Sequence, residues 1–263
     1  MFDRKKMLAR ARTQVAGAIR KRDNLLVQTV GSIDELNKCT NLMCERLSEW
    51  YGVYFPEFRH PEHKKYAQVA LMLERAAPDE EKLRAILGPE RAGVVLQRAK
   101  TSMGANVTGE DLASMRLLAS EILSMMDLLE KTEAYQTKLA QEIAPNLSHI
   151  AGHALAAKLV AAAGSIERIA QMPASTIQVM GAEKALFKHL KSGSPPPKHG
   201  LIFQHPLIST SPKKLRGKIA RALSTNLAIA ARADGISKNF IAPALKARFQ
   251  KRVDAILSAP RKK

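Results

Sequence analysis

The chain of 263 residues carries 42 lysines and arginines against 24 aspartates and glutamates, a formal net charge of +18 at pH 7. Its hydrophobic content of 46% is ordinary for a globular protein and argues against disorder. The longest apolar stretch, residues 150–164, is interrupted by His153 and Lys158 and is too short to span a membrane. The chain has two cysteines, and its first residues show no secretory signal pattern. Together these features predict a reducing compartment, and we expect the cytoplasm.

The charge is concentrated at the two ends of the sequence. Residues 1–22 hold eight bases and one acid, and residues 181–263 hold 18 bases and three acids. The middle, residues 23–180, is slightly acidic, with 16 bases and 20 acids. Such concentration is typical of a protein that binds a polyanion, although a merely solvated basic surface is an open alternative.

The predicted elements begin with a long helix in the N-terminal part of the chain. Residues from Leu26 to Tyr54 follow the alternating steps of four and three that mark a coiled-coil seam, and Pro56 ends the run. Residues 61–102 indicate shorter helices, and a second long helix starts at the cap-like residues 108–111. Two long helices joined by a helical insert predict an antiparallel coiled-coil arm. Its predicted interface consists of Leu26, Val30, Ile33, Asn37, Thr40, Cys44, Leu47, Ile122, Met126 and Leu129.

The rest of the chain also has helical patterns and no alternation typical of strands. The predicted helices cover residues 147–170, 177–191, 212–233 and 240–257, with a loop at 192–197 and an irregular segment at 199–209. The sequence therefore predicts an all-α fold. We expect three parts, namely a basic arm (1–22), a coiled-coil arm with a helical insert (23–144) and an all-helical domain (145–263).

The sequence lacks the patterns that usually carry catalysis. Neither a GxxxxGK[ST] nor a GxGxxG motif occurs. Cys39 and Cys44 have no paired ligands and are predicted to be reduced core residues. His149 and His153 have the spacing of metal ligands but lack a third ligand nearby. We therefore predict no metal, no cofactor and no enzymatic activity.

One predicted helix, residues 212–233, has a cationic face. Lys214, Lys218 and Arg221 are spaced i, i+4 and i+7, as expected of a helix that lies along a phosphate backbone. The same face continues through Thr225, Ala228 and Arg232. Ser211 and Pro212 are predicted to cap this helix. A solvated amphipathic helix is the alternative, but such faces usually mix both signs of charge. Aromatic residues are scarce, which favours recognition of RNA by its shape, with Phe203, Gln204 and His205 as one base-contacting point.

Several long motifs resemble the Nop domain family. They read PASTIQVMGAEKALF at 173–187, KHGLIFQHP at 198–206 and GKIARAL at 217–223, and SIDELN at 32–37 resembles the coiled-coil region of that family. The similarity runs in order from about residue 23 to residue 257. The motifs resemble those of the archaeal core proteins of box C/D guide ribonucleoproteins and, less strongly, those of spliceosomal Nop-domain proteins.

This resemblance implies a composite binding surface, since Nop domains bind a kink-turn RNA already held by a small kink-turn-binding protein. It implies RNA contacts by seven residues: Lys184, Gln204, His205, Lys214, Lys218, Arg221 and Arg232. It places the turn of Gly181, Ala182 and Glu183 near the junction with the protein partner. In the family, the coiled coil pairs two copies and a separate upstream domain recruits the methyltransferase fibrillarin. This sequence has only the short basic arm at that place, so the recruitment of fibrillarin stays open.

The resulting functional expectation is a non-catalytic RNA-binding scaffold of a box C/D ribonucleoprotein. It would clamp a kink-turn RNA together with the kink-turn-binding protein and support guide-directed RNA 2'-O-methylation. A homodimer through the coiled coil is expected, and no membrane association. Two alternatives stay open, namely a coiled-coil assembly module and a stand-alone Nop protein that acts in RNA processing without fibrillarin.

Overall fold

The computed structural model describes residues 4–19 and 21–258, and the described part is entirely helical, without β-strands. This confirms the predicted all-α fold. A 3₁₀ turn covers Leu201–Gln204 and a π turn covers Ala233–Ser237. The α-helices are Arg4–Ile19 (α1), Arg22–Tyr54 (α2), His63–Met72 (α3), Glu80–Leu87 (α4), Pro89–Lys100 (α5), Gly109–Ile143 (α6), Pro145–Ala151 (α7), His153–Ala163 (α8), Ile166–Gln171 (α9), Ala174–Val179 (α10), Glu183–Ser192 (α11), Pro206–Ser209 (α12), Arg216–Arg232 (α13) and Ala242–Ser258 (α14). Among these helices none combines the length and the apolarity needed to cross a bilayer.

The described residues form two compact units. Ser32–Thr132 make up one, which we call the middle unit. The described residues up to Gly31 and those from Glu133 onward make up the other, which we call the C-terminal unit. The domain boundaries expected after residues 22 and 144 stay a prediction. The basic arm lies partly outside the described residues, and its described portion forms α1.

The middle unit has a core of aromatic and aliphatic side chains from α2 to α6. Tyr51 and Phe55 are fully buried, and the rings of Phe58 and Tyr66 stack with their centroids 5.1 Å apart. Cys44 belongs to this core as predicted. Cys39 does not, because the turn of α2 directs it to the surface, and its predicted core position is wrong.

The start of α6 lies where the sequence placed it. Thr108 Oγ1 accepts a hydrogen bond from the backbone N–H of Asp111, at 3.1 Å, and the Asp111 carboxylate accepts from the backbone N–H of Thr108, at 2.9 Å. This reciprocal arrangement satisfies amides that otherwise lack a partner at a helix N-terminus. It lowers the pKa of Asp111, because the Thr108 hydroxyl and N–H stabilise the carboxylate.

The C-terminal unit contains more helix breaks than the sequence pattern predicted. The helix expected over residues 147–170 is three helices, interrupted at Gly152 and Gly164, whose φ angles of +84° and +91° favour glycine. The helix expected over 177–191 is divided into α10 and α11 at Gly181, where φ is +83°. A Cβ atom at Gly181 would also lie 2.6 Å from Leu201 Cγ. These breaks fold the alanine-rich segment into short helices.

The predicted coiled-coil interface is largely internal to the two units. Six of its residues are buried hydrophobic or thiol side chains: Leu26, Val30, Ile33, Cys44, Leu47 and Ile122. Thr40 is buried too, Met126 and Leu129 are half-buried, and Asn37 is exposed. The Asn37 side chain donates to the carbonyl of Ile33 on its own helix, at 2.9 Å, which explains how an amide is tolerated at that position.

Candidate nucleic-acid interface

Nine ion pairs between described residues join a base from the segment 21–131 with an acid from the segment 49–167. Among the described residues, the Lys and Arg side chains after Glu183 form no ion pair. They are Lys184, Lys188, Lys191, Lys198, Lys213, Lys214, Arg216, Lys218, Arg221, Arg232, Lys238, Lys246, Arg248, Lys251 and Arg252. Within the described residues, no ion pair neutralises their charge.

The three acids of this segment do not offset that charge. Glu183 accepts a hydrogen bond from the backbone N–H of Gly181, at 2.7 Å. Asp234 is buried and bound to backbone amides, and Asp254 accepts from the Gln250 side chain, at 2.9 Å. The surface of this part of the C-terminal unit is therefore strongly positive.

The cationic face of α13 is exposed over its first turns. Lys218 and Arg221 are exposed on the helix, and Lys214 is exposed just before it. Arg232 is also exposed at the far end, and its Nε donates to the carbonyl of Ala170, at 3.3 Å. Ala228, predicted on the same face, is buried instead, because the helix packs into the core along its second half.

The start of α13 also differs from the prediction. The helix begins at Arg216, preceded by a turn in which the Pro212 carbonyl accepts from the amides of Leu215 and Arg216. Ser211 therefore does not cap it. Its hydroxyl is buried and donates to the carbonyl of Leu207, at 2.6 Å.

A cluster of planar side chains, which sequence reasoning missed in part, lies beside this turn. The rings of His199 and Phe203 stack with centroids 4.6 Å apart, and the guanidinium of Arg216 lies 5.3 Å from the Phe203 centroid. Arg216 is fixed by two donated hydrogen bonds, to the carbonyls of Ser211 and Ser209. Burial, with Arg216 and Lys198 nearby, lowers the pKa of His199. The cluster holds the partly exposed Phe203 ring in place.

Gln204, predicted to contact RNA, is exposed, and a lysine bonds to its side chain. Lys158 Nζ donates to Gln204 Oε1, at 3.3 Å. The NH₂ group of Gln204 forms no hydrogen bond within the described residues and is free to donate. Lys158 comes from α8, and its 46-residue separation from Gln204 is the reason why no local motif pointed to it.

His205 does not lie on the surface expected from the resemblance. Its ring is buried, with Nε2 3.3 Å from the carbonyl of Ile150 and Nδ1 accepting from the Leu207 amide. The ring of Phe249 packs edge-on against it, with centroids 5.7 Å apart. Burial lowers the pKa of His205, with Lys246 contributing to the effect. The structure thus corrects its role from a predicted RNA contact to a side chain that supports the backbone next to Gln204.

The turn predicted to meet a protein partner leads into a helix that the rest of the chain does not cover. None of the residues of α11 is buried. Phe187 and Leu190, three positions apart, are 62% and 70% exposed. Lys184 is exposed on the first turn of the same helix. An amphipathic helix with large apolar side chains in solvent is typical of a binding surface.

Comparison with known proteins agrees with this geometry. A family model described as "Nop: snoRNA binding domain, fibrillarin" matches residues 32–255. The chain belongs to the Nop family. This confirms the family resemblance found in the sequence motifs, and the fold of this Nop protein is all-helical as that resemblance implied. Among the described residues, no three His, Cys, Asp or Glu side chains come together as a metal-binding group.

Relatives of this Nop protein occur in archaea, fungi and animals. A NOP5 family protein of Methanocaldococcus jannaschii is 45% identical over 239 residues, which is 90% of this chain and 58% of that protein. Nucleolar protein 58 of Sclerotinia sclerotiorum is 38% identical and covers 82% of this chain and 39% of its own length. Nucleolar protein 56 of Caenorhabditis elegans is 34% identical and covers 87% and 49%, respectively. The chain therefore spans between about two fifths and three fifths of the length of these relatives.

One solved structure is similar along almost the whole chain. It is a crystal structure of a fibrillarin/Nop5p complex, with a TM-score of 0.55 and 26% sequence identity, and it covers 96% of this chain and 77% of the other. The predicted cytoplasmic location is wrong on these comparisons. The fungal and nematode relatives are named as nucleolar proteins, which points to the nucleolus, and the archaeal relative alone is compatible with the prediction.

Proposed function

We propose that this chain is a non-catalytic scaffold that holds a kink-turn RNA together with its kink-turn-binding protein in a box C/D ribonucleoprotein. The observation that carries the proposal is the uncovered helix α11. Its exposed Phe187 and Leu190 offer an apolar contact of the kind that proteins use to bind proteins. Lys184 and Lys188, on the same helix and without ion pairs, offer phosphate contacts beside it. This helix therefore has apolar side chains that can bind a protein and lysines that can bind RNA phosphates.

The RNA side of the proposed surface extends to α13 and the segment before it. Lys214, Lys218 and Arg221 are exposed and have no ion pair within the described residues, as expected of residues that contact phosphates. Gln204 presents its NH₂ donors, which can reach an acceptor on a base or a sugar. The phosphate contacts would position the RNA, and Gln204 would contribute a small amount of sequence reading.

The same proposal includes support of guide-directed 2'-O-methylation by a separate methyltransferase. It is supported by the similarity to the Nop5p chain of a fibrillarin complex. The chemistry would reside in that partner, and the role of this chain would be to position the RNA. Action in RNA processing without fibrillarin is the alternative, and reconstitution with fibrillarin, guide RNA and a radiolabelled methyl donor distinguishes the two.

A titration of RNA binding tests the composite surface directly. We expect the full chain to bind a fluorescent kink-turn RNA weakly alone and at least about tenfold more tightly when the kink-turn-binding protein is present, since both partners then share one surface. Equal affinity with and without that protein would overturn the proposal. Lys218→Ala with Arg221→Ala should weaken binding and reduce the slope of log K against log salt by about one unit per lost phosphate contact.

Self-association through the middle unit is a second proposed property, and one observation favours it. The predicted interface residues of α2 are mostly used inside the chain, but another face of this helix has three exposed apolar side chains beside the ion pair of Arg46 and Glu49. Leu42, Trp50 and Val53, at positions i, i+8 and i+11, share that face and are 65%, 41% and 55% exposed. A second copy of this chain is the occupant we propose, because the resemblance implies pairing of two copies.

A further inference from the structure

The last helix of the described chain, α14, has one face buried in the core and one face exposed to solvent. Its large apolar side chains face inward: Leu245, Phe249, Val253 and Ile256 are buried in the core of the C-terminal unit. The outer surface carries four basic residues, Lys246, Arg248, Lys251 and Arg252, all exposed. Neither the sequence motifs nor the resemblance pointed to any of the four.

Three of these residues form a continuous stripe. Arg248, Lys251 and Arg252 are spaced i, i+3 and i+4 and so lie next to one another on one face of the helix. None of the three has an ion pair or a hydrogen bond within the described residues. Like charges at these spacings repel one another and destabilise a helix. The repulsion between these three cations therefore opposes folding of the helix, and an anion bound against them reduces that repulsion.

We propose that the stripe of Arg248, Lys251 and Arg252 is a second phosphate-binding surface, which holds the RNA backbone beyond the part that contacts α11 and α13. The proposal rests on the RNA binding proposed above and adds residues to it. A polyanion with charges repeated along its length suits three neighbouring cations better than a single small anion does. With two arginines among the three, the stripe favours phosphate groups, which the guanidinium fork binds through paired hydrogen bonds.

The composition of the outer face favours RNA over a lipid surface. A helix that binds membranes keeps a wide apolar face for the lipid, whereas α14 buries its large apolar residues, with the exposed Leu257 as the exception. The face around the stripe has small residues, Ala244, Ala247 and Ala255, which let a bulky backbone approach closely. Binding to anionic vesicles or to an acidic protein instead of RNA would contradict this assignment.

Binding to two RNAs of different length tests the proposal. One is a minimal kink-turn RNA, and the other is the same RNA extended by a duplex arm of about one helical turn. The variant replaces Arg248, Lys251 and Arg252 with Gln in the full chain. For the longer RNA we expect affinity to fall about 10–100-fold and the salt slope to fall by about two to three units, while binding of the minimal RNA changes little. Vesicles containing phosphatidylserine should bind neither protein.

Two controls keep the result interpretable. A matched variant, with Lys38, Arg91 and Lys100 of the middle unit replaced by Gln, removes the same charge from exposed positions elsewhere and should leave both affinities within about twofold. A second variant, Arg248→Lys with Lys251→Arg and Arg252→Lys, keeps the charge and should restore most of the binding, which an unfolded helix would not allow.

The results of these binding experiments distinguish a failure of the α14 phosphate site from a failure of the proposed RNA-binding function. If the wild type binds the longer RNA and Lys218→Ala with Arg221→Ala weakens it, but the α14 variant matches wild type, the stripe is not a phosphate site and the proposed function stands. If the wild type binds neither RNA, the proposed function itself fails. Equal losses of affinity for the longer RNA in the α14 variant and the matched variant would indicate a general charge effect. That result would overturn the proposal that the stripe binds phosphate.

Discussion

The carboxylate of Asp234 binds Asn146 twice. One oxygen accepts from the backbone N–H of Asn146, at 3.0 Å, and from its side-chain amide, at 2.7 Å, while the other accepts from the N–H of Leu147, at 2.9 Å. The Asn146 oxygen in turn accepts from the amide of Ile241, at 2.7 Å. The start of α7 is thereby tied to the segment that joins α13 to α14, across 88 residues of sequence.

Replacement of Asp234 with Ala should be among the most destabilising single changes in the C-terminal unit. It leaves three buried N–H donors without an acceptor, and each unsatisfied donor costs about 1–3 kcal/mol. We expect a loss of about 3 kcal/mol or more, measured as the free energy of unfolding in urea. Asp254→Ala, which removes an exposed carboxylate from the same unit, should cost no more than about 0.5 kcal/mol. Equal stability of the two variants would show that the network contributes little.

The capping pair of Thr108 and Asp111 predicts a pH-dependent contribution to the stability of the middle unit. The pKa of Asp111 is lower in the folded chain than in the unfolded chain. Its contribution is therefore fully present above the unfolded pKa of about 3.9 and is lost as the pH falls through the folded value. Asp111→Ala should be less stable than wild type at pH 7, and the difference should shrink as the pH falls below the unfolded pKa and through the lower folded pKa.

The adjacent acid offers a matched control for that measurement. Glu110 lies in the same first turn of α6 and interacts equally with the helix dipole, but it takes no part in the capping pair. Glu110→Ala should therefore destabilise less at pH 7, as judged by thermal melting followed by circular dichroism. A pH-independent difference between Asp111→Ala and wild type would rule out the carboxylate as its source.

Local signals in the sequence gave the right answer where the physical cause is local. The helix start at Thr108 follows from hydrogen bonds within four residues, so its motif was sufficient. The residues that decide this helix start are adjacent in the chain. The RNA contact that the family motifs imply for Gln204 stays a prediction, and its side chain is exposed.

Other features depend on partners that are distant in sequence, and the sequence pattern could not reveal them. His205 is buried because Ile150 and Phe249 surround it, although its neighbour Gln204 is exposed. Alanines around Gly152 and Gly164 have high helix propensity and hid two breaks, at which these glycines adopt positive φ angles. Cys39 lies on the exposed side of α2, opposite the core that contains Cys44, so its predicted core position is wrong.

The orientation of the Gln204 amide predicts how substitutions there affect RNA binding. Gln204→Glu replaces the outward NH₂ donors with an acceptor and adds a negative charge that faces the RNA. We expect affinity for the kink-turn RNA to fall about tenfold or more, equivalent to about 1.4 kcal/mol, in an anisotropy titration. Gln171→Glu, the same exchange at an exposed position of α9, should have little effect. Similar losses for both variants would indicate a general charge effect.

The exposed apolar residues of α11 should affect protein–protein contact and not RNA binding alone. Phe187→Ser with Leu190→Ser removes the apolar side chains and leaves Lys184 and Lys188 in place. Binding of RNA alone should be unchanged, and the gain in affinity from the kink-turn-binding protein should fall about tenfold or more, as for a central contact residue. Phe240→Ser, at a ring that is 60% exposed elsewhere, is the matched control. A reduced affinity for RNA alone would indicate that the apolar residues of α11 contact the RNA and not the protein.

The exposed apolar side chains of α2 predict the oligomeric state of the protein. Trp50→Glu with Val53→Glu places two charges on the face that we propose for self-association, where an unpaired charge is costly to bury. The wild type should have twice the mass of one chain in multi-angle light scattering, and this variant should have the mass of one chain. Leu117→Glu, at a 65% exposed position of α6, should remain a dimer. If the control also dissociates, the contact lies on another face of the middle unit, and if the wild type is already monomeric, the exposed face of α2 has a different partner.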